Sequence, residues 1–184
     1  MPLSTIASNQ IKNDTIVDAD INSSGNIATS KLATGAVIQV VHTSSGEMTT
    51  TSVTVPYDDT IMQITEGFEV MNLNITPTSA SNKLLIRAQA HISPSTNSLP
   101  TMGLFVGTTA NALASTFLHT CGAGNYPQVM TLEHFMTSGS TSTLTYRIRA
   151  GQNNAGTTTF NGRQGARFHG GSLASTLTIM EIAV

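Results

Sequence analysis

Metal or acid–base chemistry in this 184-residue chain would have to come from five histidines, one cysteine and ten carboxylates. The histidines are His42, His91, His119, His134 and His169, and none forms a metal-ligand spacing with a second histidine or the cysteine. His119 and Cys121 lie close together, but one pair is not a site. Asp18-Ala19-Asp20 matches part of a calcium loop, yet the later ligands and the glycine at its proper offset are missing. It reads as a solvated turn, as does Asp58-Asp59 after Pro56-Tyr57. Glycoside hydrolysis needs two carboxylates at a set separation across a cleft, and acids this sparse argue against it. There is no Gly-x-Ser-x-Gly, P-loop or dinucleotide fingerprint. The expectation is a protein without enzymatic activity, cofactor or resident metal.

Binding chemistry has better candidates. The glycine-rich stretch NGRQGARFHGGS gathers Arg163, Arg167, Phe168 and His169 in one loop. Aromatic rings stack on sugars, and arginine donates to hydroxyls or acidic groups. CGAGNYPQ offers Asn125 and Tyr126 on a second turn. The absence of tryptophan and the presence of only three tyrosines weigh against a dedicated lectin.

The elements that carry these loops read as strands. AVIQVVHT, FEVMNLNITP, KLLIRAQAHI, TMGLFVG, QVMTLEHFMT, STLTYRIRAG, TTTF and STLTIMEIAV are separated by Gly, Ser, Asn and Pro clusters. In KLLIRAQAHI the residues Leu84, Ile86, Ala88, Ala90 and Ile92 alternate with more polar ones. In STLTYRIRAG the residues Leu144, Tyr146, Ile148 and Ala150 alternate with Thr145, Arg147 and Arg149. No long amphipathic helix is evident. The fold class is all-β, about eight to ten strands in a sandwich or jelly roll, spanning 35–184.

Residues 1–34 have another texture. Ile6, Ile11, Ile16, Ile21, Ile27 and Leu32 recur at close to five-residue spacing. That suits neither a helix nor a strand, and the intervening Asn, Asp, Ser and Gly favour turns. Such a ribbon finds cover only on other chains, so the segment is expected to be an extended anchor.

Charged residues make up 10% of the chain, against roughly 25% in an ordinary soluble domain. Low charge favours association. The net charge of −2, with no basic run, argues against nucleic acid. No apolar run approaches the roughly 20 residues of a membrane span, and the start lacks the regions of a signal peptide, so synthesis in a host cytoplasm without secretion is expected. Two strands are apolar on both sides. Met130, Leu132 and Met136 in one, and Met180 and Ile182 in the other, are expected to face a neighbouring subunit around a three-fold axis. His134 lies in the first of these strands. Its copies would meet on that axis and hold water, an anion or a metal.

The stretch NDTIVDADINSSGNIATSKLATGAVIQV, followed by NITPTSASNKLLIRAQAHIS, STLTYRIRAG and a final STLTIMEIAV, resembles the terminal domain of tailed-phage virion proteins and the segment leading into it. These include fibre proteins of marine and cyanobacterial phages. The resemblance covers most of the chain after about Lys12, and rests on the order and spacing of the motifs together. It implies a trimeric jelly roll like tumour necrosis factor, displayed on a virion, with other tail or capsid proteins as partners and host-surface glycan as a further one. Fibre proteins usually carry a long shaft, whereas the stretch before this domain is short. That points to a fibre tip, a short fibre or a capsid decoration protein that stabilises the shell. A free carbohydrate-binding module is the competing reading, and it leaves the recurring aliphatics of 1–34 without a role.

Each anchoring isoleucine buried on a partner contributes about 1.5–3 kcal/mol, while each ordered residue costs about 1–2 kcal/mol. One aliphatic in five therefore needs hydrogen bonds from other chains as well. Ile16→Asp combined with Ile21→Asp is expected to abolish loading onto virions, read by quantitative blotting of purified particles, and to leave the melting of the β domain unchanged. Wild-type occupancy in the double variant would refute the anchor.

Overall fold

A computed structural model describes residues 32–119 and 126–184. The chain divides into two units, Met1–Leu32 and Ala33–Val184, and the second is the β domain described here. Its strands are β1 (Val37–Ser45), β2 (Thr49–Thr51), β3 (Phe68–Ile75), β4 (Lys83–Pro94), β5 (Pro100–Val106), β6 (Ala114–Phe117), β7 (Gln128–Thr137), β8 (Leu144–Gln152), β9 (Thr158–Phe160), β10 (Gly162–Arg163), β11 (Ala166–Arg167) and β12 (Ser175–Ile182). The only helical turn among the described residues is a short 3-10 turn at His169–Gly171. All eight strands expected from alternation are present. The short β2, β6, β10 and β11 are additional, too brief to show a period.

The first sheet runs β1-β12-β4-β7, with β9 and β2 continuing beyond the end of β4. The second runs β3-β8-β5-β6. Followed along the chain, β1, β3, β4, β5, β6, β7, β8 and β12 cross between the sheets at every step but the β5–β6 hairpin. That order is the jelly roll. All pairings between these strands are antiparallel.

The core follows from period two. β4 buries Leu84, Ile86, Ala88, Ala90 and Ile92. Leu177 and Ile179 of β12, and Met130 and Leu132 of β7, meet them from either side. The second sheet supplies Met71, Ile75, Met102, Leu104, Tyr146 and Ile148. Tyr146 is fully buried and donates its hydroxyl to Met136 Sδ at 3.6 Å; burial pushes its pKa up to about 12.

The chain covers the outer face of the second sheet with its own β2–β3 loop. Val55 and Met62 of that loop pack on Phe105, and all three are buried. Gly103 makes the approach possible, since a Cβ there would stand 2.5 Å from Met62 Sδ. Arg149 secures the loop's end, donating to the carbonyls of Glu66 (3.0 Å) and Gly67 (2.7 Å). Arg147 pairs with Glu69 at 2.9 Å on the same face.

One carboxylate ties the last strand to the loop before β4. Glu181, fully buried on the inward side of β12, accepts from the Thr78 amide and hydroxyl (2.8 Å each), the Ser79 amide (3.4 Å) and Asn82 Nδ2 (2.7 Å). The Gln39 amide, turned with its nitrogen inward, donates to Glu181 Oε2 (3.1 Å) and to the Thr76 carbonyl (3.3 Å). No cation pairs with Glu181 among the described residues. The motifs TPTSASN and MEI, far apart in sequence, are thus the two halves of one contact. Burial alone would raise the Glu181 pKa; the bonds from Asn82, Thr78 and Ser79 outweigh it and hold the carboxyl below its ordinary value.

A carboxyl depressed in the folded state stabilises the fold above its ordinary pKa of 4.5, and that contribution fades as pH falls through the lower folded value. Glu181→Gln turns one acceptor into a donor facing donors. It should cost about 1.5–3 kcal/mol at neutral pH and show a shallower loss of stability below the ordinary carboxylate range than wild type, both measured by urea unfolding. Equal stability at neutral pH would refute the clamp.

Candidate functional site

The outer face of the first sheet has no covering loop among the described residues. Register places its outward side chains in rows. Val40 faces Met180, Met180 faces Leu85, and Leu85 faces Phe135. These four form one apolar row across four strands. Val40 is 55% exposed and Phe135 57% exposed, and Met180 and Leu85 are half-buried between them. Ile182 continues the apolar surface at one side. The next row is polar: His42, Thr178, Arg87 and Glu133. Arg87 Nε lies 2.7 Å from Glu133, and His42 Nδ1 lies 2.8 Å from Thr178 Oγ1. A third row of Ser44, Thr176, Gln89 and Thr131 presents hydroxyls and an amide. Beyond it stands His91, whose partial burial holds its imidazole below the ordinary value.

Two corrections concern the expected subunit contact. Met130 and Leu132 belong to the domain's own core, 1% and 6% exposed, and half-buried Met136 packs against that core. The reason is register: Met130, Leu132 and Met136 stand opposite Ala90, Ala88 and Leu84, the inward residues of β4. His134 stands opposite Ile86 on that same inward side and is half-buried. The side of β7 left open is the other one, with Val129 (49% exposed) and Phe135. Met180 and Ile182 do lie on the outward side of β12. The apolar row uses residues the sequence reading assigned no role, Val40, Leu85 and Phe135. Their signal was present in the parity of the strands: Leu85 alternates with a run of buried residues, so it must face away from them.

The expected binding loops partly converge. The Arg163 guanidinium lies over the Tyr126 ring, 5.3 Å from its centre, so residues from two loops meet. Arg163 stands on β10 and Arg167 on β11, joined by the two-residue turn Gln164-Gly165, both at positive φ. Arg167 reaches Glu47 at 3.9 Å, and Phe168 and His169 rings lie 6.5 Å apart. Asn161, at φ 55°, anchors the hairpin by donating to the Ser45 (2.8 Å) and Glu47 (2.9 Å) carbonyls and accepting from the Ser175 hydroxyl (2.7 Å). Asn125 lies outside the described residues, as do Ile6, Ile11, Ile16, Ile21 and Ile27; Leu32 is exposed. Among the described residues no three His, Cys, Asp or Glu side chains gather to hold a metal, and no helix is long and apolar enough to cross a membrane.

No protein-family model matches the chain, and no curated protein does. Solved structures similar to it include Eiger TNF from S. frugiperda, at 8% identity and a TM-score of 0.48 over 78% of this chain and 93% of that one. The EclA C-terminal domain, a sugar-binding protein, is similar at 11% identity and 0.35 over 89% of this chain and 99% of that one. Infectious bursal disease virus VP2, from a subviral particle, is similar at 12% and 0.32 over 81% of this chain and 39% of that one. The jelly-roll assignment rests on the strand order, and these likenesses carry nothing further.

Proposed function

We propose that this chain is a non-enzymatic structural protein of a tailed-phage virion. Its jelly rolls associate as a homotrimer through the bare face of the first sheet, the segment 1–34 fastens the trimer to tail or shell, and the exposed loops face the host. The observation that carries this reading is the apolar row Val40–Met180–Leu85–Phe135. Covering it contributes up to about 1.5–3 kcal/mol per side chain, and a domain with 10% charged residues has little repulsion to oppose contact between copies. The resemblance of the sequence motifs to those of phage virion proteins supports the particle, and the number three. The role is assembly and attachment, with no catalytic step.

Light scattering on the full chain at micromolar concentration should give three times the 19.3 kDa chain mass. Val40→Asp combined with Phe135→Asp should give a folded monomer, because both side chains are more than half exposed in the single domain. A wild-type monomer, or a double variant that remains trimeric, would overturn the assembly. Imaging of labelled particles then distinguishes a tail position from a capsid decoration, and absence from both would overturn the virion role.

A further inference from the structure

A groove at the free edge of the second sheet combines groups that the subunit contact does not use. Tyr57, from the β2–β3 loop, and Phe117, at the end of β6, meet edge to face with ring centres 6.0 Å apart. Both are largely exposed, 64% and 55%. Two large aromatic rings exposed side by side make a contiguous apolar patch, a common mark of a ligand-binding groove. Beside the rings the groove is lined by Asp58 and Glu66 and by Thr101 and Ser115, which share the outward side of their strands with Phe117, around a space of about 150 Å³, the scale of a single ring unit.

The groove is held in shape before any ligand arrives. Its loop is sunk into the domain at Val55 and Met62. It is stitched to the β5–β6 hairpin by the Ile64 amide donating to Ala110 (2.8 Å) and the Ala112 amide donating to Met62 (2.9 Å). Asp58 Oδ1 accepts from the Thr60 hydroxyl (2.6 Å) and amide (2.8 Å), and Glu66 Oε2 accepts from the Gln63 amide (2.9 Å). Those bonds fix one oxygen of each carboxylate. Asp58 Oδ2 and Glu66 Oε1 have no hydrogen-bond donor among the described residues, so each is free to accept. Thr60, through its hydroxyl first and its amide second, holds the Asp58 carboxyl below its ordinary value, so it is an acceptor at neutral pH.

Apolar ring faces next to fixed acceptors and hydroxyls fit a molecule with a C–H face and a rim of hydroxyl donors. The geometry points to this groove as a binding site for an uncharged saccharide unit, stacked on Tyr57 and Phe117 with hydroxyls donating to Asp58 and Glu66. Charge excludes an acidic sugar. The nearby cation, Arg149, is committed to the carbonyls of Glu66 and Gly67 and lies 3.9 Å from Glu69, which leaves two carboxylates to repel an anion. The site does not depend on the trimer, since every lining group belongs to one chain.

Saturation-transfer NMR on the full chain tests it, with maltotriose, chitotriose and sialyllactose as probes at millimolar concentration. The expected result is transfer to maltotriose or chitotriose, with affinity lowered about tenfold or more in Tyr57→Ala and in Phe117→Ala, and a smaller loss in Asp58→Asn, which keeps an acceptor for Thr60. Melting curves of the variants should match wild type, as the rings are exposed; should an alanine variant melt early, Asp58→Asn carries the test alone. No transfer to either uncharged probe, tighter binding of sialyllactose, or wild-type affinity in the folded variants overturns the site. None of these outcomes touches the oligomeric state, so the assembly reading stands or falls separately.

Discussion

The rest of the molecule is registered on strand β4. It pairs with β12 along one edge and with β7 and then β9 along the other. Its alternation is close to strict, and a slip of one residue would send Leu84, Ile86, Ala88 and Ala90 into solvent. That constraint passes outward through the ladder. Because Leu84 faces inward, so do Glu181 on one side and Met136 on the other. Because Leu85 faces outward, so do Met180 and Phe135. The buried carboxylate and the bare apolar row therefore have a common origin.

The same register explains what could be read from the sequence and what could not. β4 and β8 alternate a hydrophobic set with a polar set, so their inward faces were legible before any partner was known. β7 is apolar on both sides, and its own residues cannot say which side is in. The larger, more numerous Met130, Leu132 and Met136 suggested a subunit contact, whereas a core needs that same volume. Glu181 was legible in principle. It shares parity with Leu177 and Ile179, and an acid on the buried side of a strand implies donors waiting for it. Those donors sit in Thr78, Ser79 and Asn82, about a hundred residues earlier, which local pattern cannot supply. Tyr57 and Phe117 were invisible for a similar reason, being brought together by a loop folding across β5 and β6.

The two outer faces of the sandwich are treated differently. On the second sheet Val55 and Met62 close over Phe105, and Arg147 and Arg149 are both engaged. On the first sheet Val40 and Phe135 stand open beside an ion pair and a row of hydroxyls. A chain that covers one apolar face with sixteen residues of its own loop could have covered the other in the same way. Among the described residues no segment does so, and the open face lies in a domain with few charges.

Both register shifts in the two main sheets fall on outermost strands, between Val37 and Gln39 in β1 and between Glu69 and Met71 in β3. A regular outer strand is a template on which another chain can extend the ladder into a cross-β fibril, and many proteins guard it with lysines. This chain has too little charge for that defence. The local kink at each shift spoils the template by shape, the outer strand β6 is only four residues long, and β7 carries Glu133 near its middle. Each of these features disfavours growth along the sheet edge and leaves the sheet's face unaffected. A hydroxyl-rich domain can in this way meet other molecules through its face without seeding polymer.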